Sequence, residues 1–314
     1  MNQILLIFFI LANIFNGYGK IASSQKLTQV KPQAPVLNLS NFSAENSPKR
    51  TLSVFNIKND KLLSALVIKK LPEDVVSKIS ASDIFIKEIG GAVIYGKNTD
   101  EQRPIASLTK LMTGLISFQV YPETEKFKIS KRAVDTEGES GSFFVGEIFE
   151  RNDLVKAALV ASSNDAAYTL AEKITVEKFV ELMNSKSKEL GMKKTLFSEP
   201  TGLENGNKSS LEDLYVLVDY ISRNYPEILS FARIEKFTLT GKNKRTLNST
   251  DYLLPVYKKY VIASKTGFTP ESGECLILVL KFEKSPFVFV GLLNSKNRFE
   301  DAKKLITALE EYYK

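Results

Sequence analysis

The chain has no histidine and a single cysteine in 314 residues. Without histidine, a Ser-His-Asp triad, a Cys-His dyad and a His-ligated zinc hydrolase are all excluded. The lone Cys275 can form neither an internal disulfide nor a Cys-rich metal site. Any catalysis must therefore run on Ser, Lys, Asp, Glu or Tyr. Long apolar runs are lacking too. The most apolar stretch, Ile4 to Phe15, has twelve residues, against the roughly 20 that a spanning helix needs. That excludes a polytopic membrane protein. No internal repeat is visible, and no Lys/Arg block with interleaved aromatics marks a nucleic-acid surface.

What is present is an ordinary globular composition, 43% hydrophobic and 25% charged, which excludes disorder throughout. The net charge of +7 suits an anionic partner such as nucleic acid, a phospholipid surface or a cell-wall polymer, although a solvated lysine-rich surface is the plainer reading of the charge alone. The apolar run ends at Asn16-Gly17-Tyr18-Gly19, placing small residues at −3 and −1 of a cleavage site. Residues 1–19 are thus expected to be a signal peptide. Because Met1-Asn2-Gln3 carries no Lys or Arg, retention of residues 4–15 as a membrane anchor is the alternative. Either way the chain is expected to be exported, to the periplasm or the extracytoplasmic envelope. No cysteine near the run offers a site for lipid attachment. Residues 20–50, rich in Ser, Asn, Gln, Lys and Pro, read as a linker. Residues 51–79 are apolar only in patches and receive no assignment, and residues 80–314 read as the main folded domain.

Within that domain Asp83 to Ile89 and Ala92 to Tyr95 flank Gly90-Gly91 and predict a hairpin. Helices are predicted at about 106–120, 153–161, 165–173, 176–190 and 211–224, the last limited by Pro226. Tyr260 to Lys265, Cys275 to Phe282 and Phe287 to Leu293 predict buried strands, and Arg298 to Tyr312 a closing amphipathic helix. Strands, then helices, then strands is an α+β order with an antiparallel sheet and segregated helices.

Three short motifs could carry chemistry. In Pro104-Ile105-Ala106-Ser107-Leu108-Thr109-Lys110, helical spacing puts the Ser107 hydroxyl and the Lys110 ammonium on one face. A desolvated lysine can activate a serine, and with no histidine it is the obvious base. An exposed lysine at a helix start is the plainer reading. Ser162-Ser163-Asn164 lies between two helices, where capping is the plain role. Functionally, Ser162 would relay a proton between lysines, and Asn164 would hold Lys110 or a substrate amide. Lys265-Thr266-Gly267-Phe268 ends a strand. It is either a simple turn or a carboxylate and oxyanion site, with Gly267 admitting a ligand close to the backbone. Cys275 reads as a buried small hydrophobe, and Asp165 as a helix-start acid.

Each motif alone is weak, but the order Ser-x-x-Lys, Ser-x-Asn, Lys-Thr-Gly, separated by 55 and 103 residues, resembles penicillin-recognising serine hydrolases. Pro104 to Thr113, Asn164-Asp165-Ala166-Ala167, Gly191-Met192, Pro200-Thr201-Gly202-Leu203, Lys265 to Thr269 and Gly273 to Leu276 narrow the likeness. They resemble the D-alanyl-D-alanine carboxypeptidases, the low-molecular-mass penicillin-binding proteins. The likeness covers about residues 80–314 and departs at Ile105, often Pro, and Ser163, often Gly.

The resemblance implies a β-lactamase/transpeptidase-like fold, a five-stranded antiparallel sheet flanked by helices with a helical subdomain. It implies attack by Ser107 on the bond between two D-alanines of a peptidoglycan stem peptide, with Lys110 as base and Ser162 as proton relay. Asn164 would align Lys110 and substrate, while Lys265 and Thr266 would hold the terminal carboxylate. The Phe268 and Ser107 N–H groups would form the oxyanion hole. β-Lactams would acylate Ser107, and no metal or organic cofactor is implied. A D,D-endopeptidase with the same residues is the near alternative. A non-catalytic wall-binding or β-lactam-sensing protein is the alternative of another class, though all three motifs are intact. A β-lactamase needs a Glu-x-x-Leu-Asn pattern, and none follows Asn164. Because the sequence stops soon after the closing helix, any membrane tether is expected at the N-terminus.

Overall fold

The structure, a computed structural model, describes residues 71–138 and 141–314. Residues 1–70, where a signal peptide or anchor and a linker are expected, lie outside the described residues. In chain order the elements begin with α1 (Glu73–Val76), β1 (Asp83–Glu88), β2 (Val93–Lys97) and β3 (Arg103–Pro104). A 3₁₀ turn (Ala106–Thr109) follows, then α2 (Lys110–Val120), β4 (Lys126–Lys128), α3 (Lys131–Val134) and β5 (Ile148–Glu150). Next come α4 (Arg151–Val160), α5 (Asn164–Glu172), α6 (Val176–Glu189), β6 (Lys208–Ser209), α7 (Leu211–Asn224) and α8 (Pro226–Phe231). The chain closes with β7 (Lys236–Leu239), β8 (Arg245–Asn248), α9 (Leu253–Val256), β9 (Val261–Thr269), β10 (Gly273–Lys281), β11 (Phe287–Ser295) and α10 (Arg298–Tyr312).

The main sheet has five antiparallel strands in the order β2-β1-β11-β10-β9. The hairpin and the three late strands expected from sequence thus form one sheet. β10 reads as an unbroken apolar run because both of its faces are covered. Cys275, Ile277 and Val279 join a core shared with α2, α4, α5 and α7. Their neighbours Leu276, Leu278 and Leu280 join a second core with α1 and α10. Successive strand residues face opposite ways, so the period of two survives inside a run that looks continuous. Each buried aliphatic side chain contributes about 1.5–3 kcal/mol relative to exposure. Leu71, Val76 and Ile79 belong to the second core as well.

Four departures from the sequence reading have physical causes. The first predicted helix is split: residues 106–109 wind as a 3₁₀ turn, and the α-helix begins only at Lys110. Ala106 enters that turn at φ +46°, which an α-helix cannot accommodate. The strand carrying Lys265 does not end in a turn but runs on through Thr269, with Gly267 paired to Cys275. Pro226 does more than limit α7, because it occupies the first turn of α8, where a missing N–H is harmless. The pairs β3–β6, β4–β5 and β7–β8 were not anticipated. They have two to four residues each, too short for a readable alternation.

Candidate active site

Helix α2 runs through the middle of the helical subdomain, in contact with α4, α5, α6 and α7. Its first eight residues, Lys110 to Ser117, are all buried. The 3₁₀ turn before it has three residues per turn, so side chains at i and i+3 eclipse more closely than on an α-helix. Ser107 Oγ and Lys110 Nζ are accordingly 2.9 Å apart. Lys110 has no exposed surface, and its Nζ also donates to Asn164 Oδ1 at 2.7 Å and to the Thr201 carbonyl at 2.6 Å. Ser107 itself is half-buried and reachable from outside.

The second motif occupies the turn between α4 and α5. Ser163 takes the capping role, its hydroxyl accepting the Ala166 N–H at 3.1 Å. That leaves its neighbours for other work. Asn164 bridges Lys110 and the Glu137 carbonyl, to which its Nδ2 donates at 2.7 Å. Ser162 sits at φ +55°, a strained position for a residue with a side chain, and its Oγ receives Lys265 Nζ at 3.0 Å. Two buried lysines therefore each face a serine.

The third motif lies on β9, the edge strand of the sheet. Lys265 and Thr266 are buried, whereas the Phe268 side chain is 61% exposed. The Thr266 hydroxyl lies 2.5 Å from that of Thr250. Gly267 is required by proximity. A methyl group there would lie 3.0 Å from the Ile105 carbonyl and 3.1 Å from the Ser107 nitrogen. The strand edge and the 3₁₀ turn carrying Ser107 thus meet at backbone contact. All eight residues singled out from sequence (Ser107, Lys110, Ser162, Asn164, Lys265, Thr266, Gly267 and Phe268) lie on these three elements.

Other contributors were not read from sequence. Arg298, at the start of α10, donates from Nη1 to the Gly267 carbonyl at 2.7 Å. Its buried Nε has no hydrogen-bond partner among the described residues. Asp251, nearly fully buried, accepts the Ser264 hydroxyl and the Leu253 N–H, and burial pushes its carboxyl above the usual carboxylate range. Thr201 and Glu137 act through backbone carbonyls, for which no side-chain pattern exists. The string Pro200-Thr201-Gly202-Leu203 was the available signal for the loop that carries Thr201.

One wall beside the second motif is held by Arg245 of β8. Its guanidinium makes a two-pronged bond to Glu147, at 3.0 and 2.7 Å, and donates to the Gly141 carbonyl at 3.2 Å. Burial alone would raise the Glu147 pKa, but hydrogen bonds from Arg245 and the Phe144 N–H outweigh it and hold the carboxyl below its usual range. The folded protein therefore releases this proton more readily than the unfolded chain. The stabilisation is complete above about pH 4.3, the ordinary glutamate value, and is lost as pH falls through the lower folded value. Glu147→Gln should lower the melting temperature at pH 7, with the gap to wild type closing as unfolding is repeated at falling pH below 4. A gap independent of pH would refute the charge-based account.

Fold and site together define a serine peptidase of the penicillin-recognising kind, with a buried lysine hydrogen-bonded to an accessible serine. The chain belongs to the D-alanyl-D-alanine carboxypeptidase family, which it matches over residues 70–296. It is 33% identical over 240 residues to a D-alanyl-D-alanine endopeptidase of Pseudomonas aeruginosa, covering 74% of this chain and 77% of that one. It is 34% identical over 211 residues to the D-alanyl-D-alanine carboxypeptidase DacF of Bacillus subtilis, covering 62% and 52% respectively. Among solved structures, an ampicillin-bound penicillin-binding protein of Listeria monocytogenes superposes with a TM-score of 0.66 and 29% identity, covering 74% of this chain and 98% of that one.

Proposed function

We propose that the chain removes the terminal D-alanine from peptidoglycan stem pentapeptides through an acyl-enzyme on Ser107. The observation that carries this reading is the 2.9 Å approach of Lys110 Nζ to the Ser107 hydroxyl. Lys110 takes the hydroxyl proton as Oγ attacks the carbonyl of the penultimate D-alanine. The Ser107 and Phe268 N–H groups receive the developing oxyanion, and the edge position of β9 beside the nucleophile turn supports this pairing. The C–N bond then breaks, and Ser162, hydrogen-bonded to Lys265, delivers a proton to the leaving amine. Lys265 and Thr266 bind the terminal carboxylate, with Asn164 aligning Lys110 and the substrate. Water hydrolyses the ester and regenerates Ser107. A β-lactam, which presents a strained amide in the same place, acylates the same oxygen.

The second reading, a D,D-endopeptidase cutting cross-links, is favoured by one observation. The Pseudomonas relative of that name is covered over 77% of its length, against 52% for the Bacillus carboxypeptidase. Action outside the cytoplasm follows from either substrate. Residues 1–19 would direct export, or residues 4–15 would stay as an anchor, with 20–50 as the spacer to a catalytic domain at 80–314. Among the described residues no helix is long and apolar enough to cross a membrane.

Incubation with purified muropeptides tests the reading, with Ser107→Ala as control and masses as readout. Loss of one alanine from pentapeptide monomers, absent in the control, is the expected result. Conversion of cross-linked dimers to monomers with intact pentapeptides would transfer the assignment to the endopeptidase. No change in either substrate would leave the wall-binding role.

A further inference from the structure

Lys110 is held from two sides, by Asn164 on one and by the Thr201 carbonyl on the other. Asn164 sits in a motif the proposed chemistry already uses. The other support is an irregular loop, residues 198–207, with no regular secondary structure to fix it. It nevertheless meets the nucleophile segment at several points. Thr113 donates to the Pro200 carbonyl at 2.6 Å, Asn207 Nδ2 donates to Thr109 Oγ1 at 3.1 Å, and the Ile105 N–H reaches the Asn207 carbonyl at 3.2 Å. Within the loop, one carboxylate gathers the donors. Glu199 Oε2 accepts the Thr201 N–H at 2.5 Å and the Thr201 hydroxyl at 2.6 Å. Its Oε1 accepts the Gly202 N–H and, at 2.6 Å, Asn207 Nδ2. Asn207, fully buried, returns its Oδ1 to the N–H groups of Ser198 and Glu199 at 2.6 and 3.2 Å.

From this geometry we propose that Glu199 is a positioning residue for Lys110, acting through the Thr201 carbonyl. The proposal rests on the reading of Lys110 as the base that activates Ser107. Both peptide N–H groups flanking the Thr201 carbonyl, those of Thr201 and Gly202, are pinned by the same carboxylate. The carbonyl plane is thereby fixed relative to α2. Three N–H groups and one hydroxyl converge on the two Glu199 oxygens, an arrangement that a carboxylate, with acceptor sites on both oxygens, satisfies fully. A neutral amide cannot, since either orientation turns its NH₂ toward at least one N–H donor. Thr109 and Thr113, which flank Lys110 in the first motif, are the matching contacts on the helix side.

The test is acylation of the full chain by a fluorescent penicillin, with the limiting rate at saturating probe, the probe concentration for half-maximal rate and the final labelled fraction each measured. Glu199→Gln is expected to lower the limiting rate about 10- to 100-fold, the scale on which an ångström of misplacement acts. The half-maximal concentration and the final labelled fraction should stay near wild type. Glu199→Asp, which keeps the charge on a shorter arm, should recover part of the rate. A role confined to folding would instead reduce the labelled fraction and leave the rate of the folded molecules unchanged, and that result overturns the proposal. Should Glu199→Gln fail to fold, Thr113→Val decides. It deletes the hydrogen bond to Pro200 at nearly constant volume and should slow the limiting rate several-fold, so an unchanged rate is equally fatal. Lys110→Met, run alongside, separates the two layers. Wild-type labelling there refutes the base assignment itself, whereas slow labelling there with normal Glu199→Gln refutes only the positioning role.

Discussion

Lys110→Met is expected to label with a fluorescent penicillin about 10²- to 10⁴-fold more slowly than wild type, the span that removal of a positioned general base produces. Methionine fills the volume of the lysine stem, so the core around α2 keeps its packing. The loss is therefore chemical, because Lys110 is the amine hydrogen-bonded to Ser107 Oγ. The substitution also leaves Asn164 Oδ1 and the Thr201 carbonyl without the donor they share in the folded protein. An unsatisfied buried acceptor costs about 1–3 kcal/mol. The melting temperature should drop by several degrees for a domain of this size. Time courses of labelling separate the two effects, since a destabilised but competent enzyme would label quickly at low temperature. A rate within about tenfold of wild type would remove Lys110 from the role of base.

Much of this arrangement was legible in the sequence, for identifiable reasons. The sheet was visible because β10 and β11 are apolar on both faces, which makes Cys275 to Leu280 a conspicuous run. The closing helix was visible because Phe299, Ala302, Leu305, Ile306 and Leu309 recur with helical spacing on its buried face. Ser107 and Lys110 were visible because three residues of separation bring side chains together on either kind of helix. Their closeness, however, comes from the 3₁₀ turn, and no composition signal announced that Ala106 would take a positive φ. Gly267 was read as a turn residue or a ligand approach. Its tightest neighbour is the Ile105 carbonyl at the entrance to the turn that carries Ser107, 162 residues earlier in the chain. Thr201, Glu137 and Arg298 escaped for a common reason. The first two act through carbonyls every residue possesses, and the third through a contact to Gly267 set by the start of a distant helix. Local periodicity reports what a segment buries, whereas site geometry is decided by where separate segments touch.

The contact between the 198–207 loop and the turn carrying Ser107 yields the second large effect, at Gly202. This residue has φ +86°, and a methyl group on it would lie 2.0 Å from the Ala106 carbonyl oxygen and 2.8 Å from the Ser107 nitrogen. Neither atom can yield easily, because both are backbone atoms and Ala106 is itself held at φ +46° at the start of the 3₁₀ turn. Gly202→Ala should therefore push the loop away from the turn, drawing the Thr201 carbonyl off Lys110, and slow penicillin acylation at least 100-fold. Positive φ alone would also destabilise any alanine here, by about 1–2 kcal/mol. Gly191 isolates that component, for it has φ +76° with nothing within 4 Å of where a methyl would sit. Gly191→Ala should lower the melting temperature by a few degrees and acylate at the wild-type rate. If both variants lose stability but neither loses acylation, loop contact at Ala106 has no part in placing Ser107 and Lys110. If Gly202→Ala alone loses acylation, the missing side chain at position 202 is what lets the loop reach the lysine.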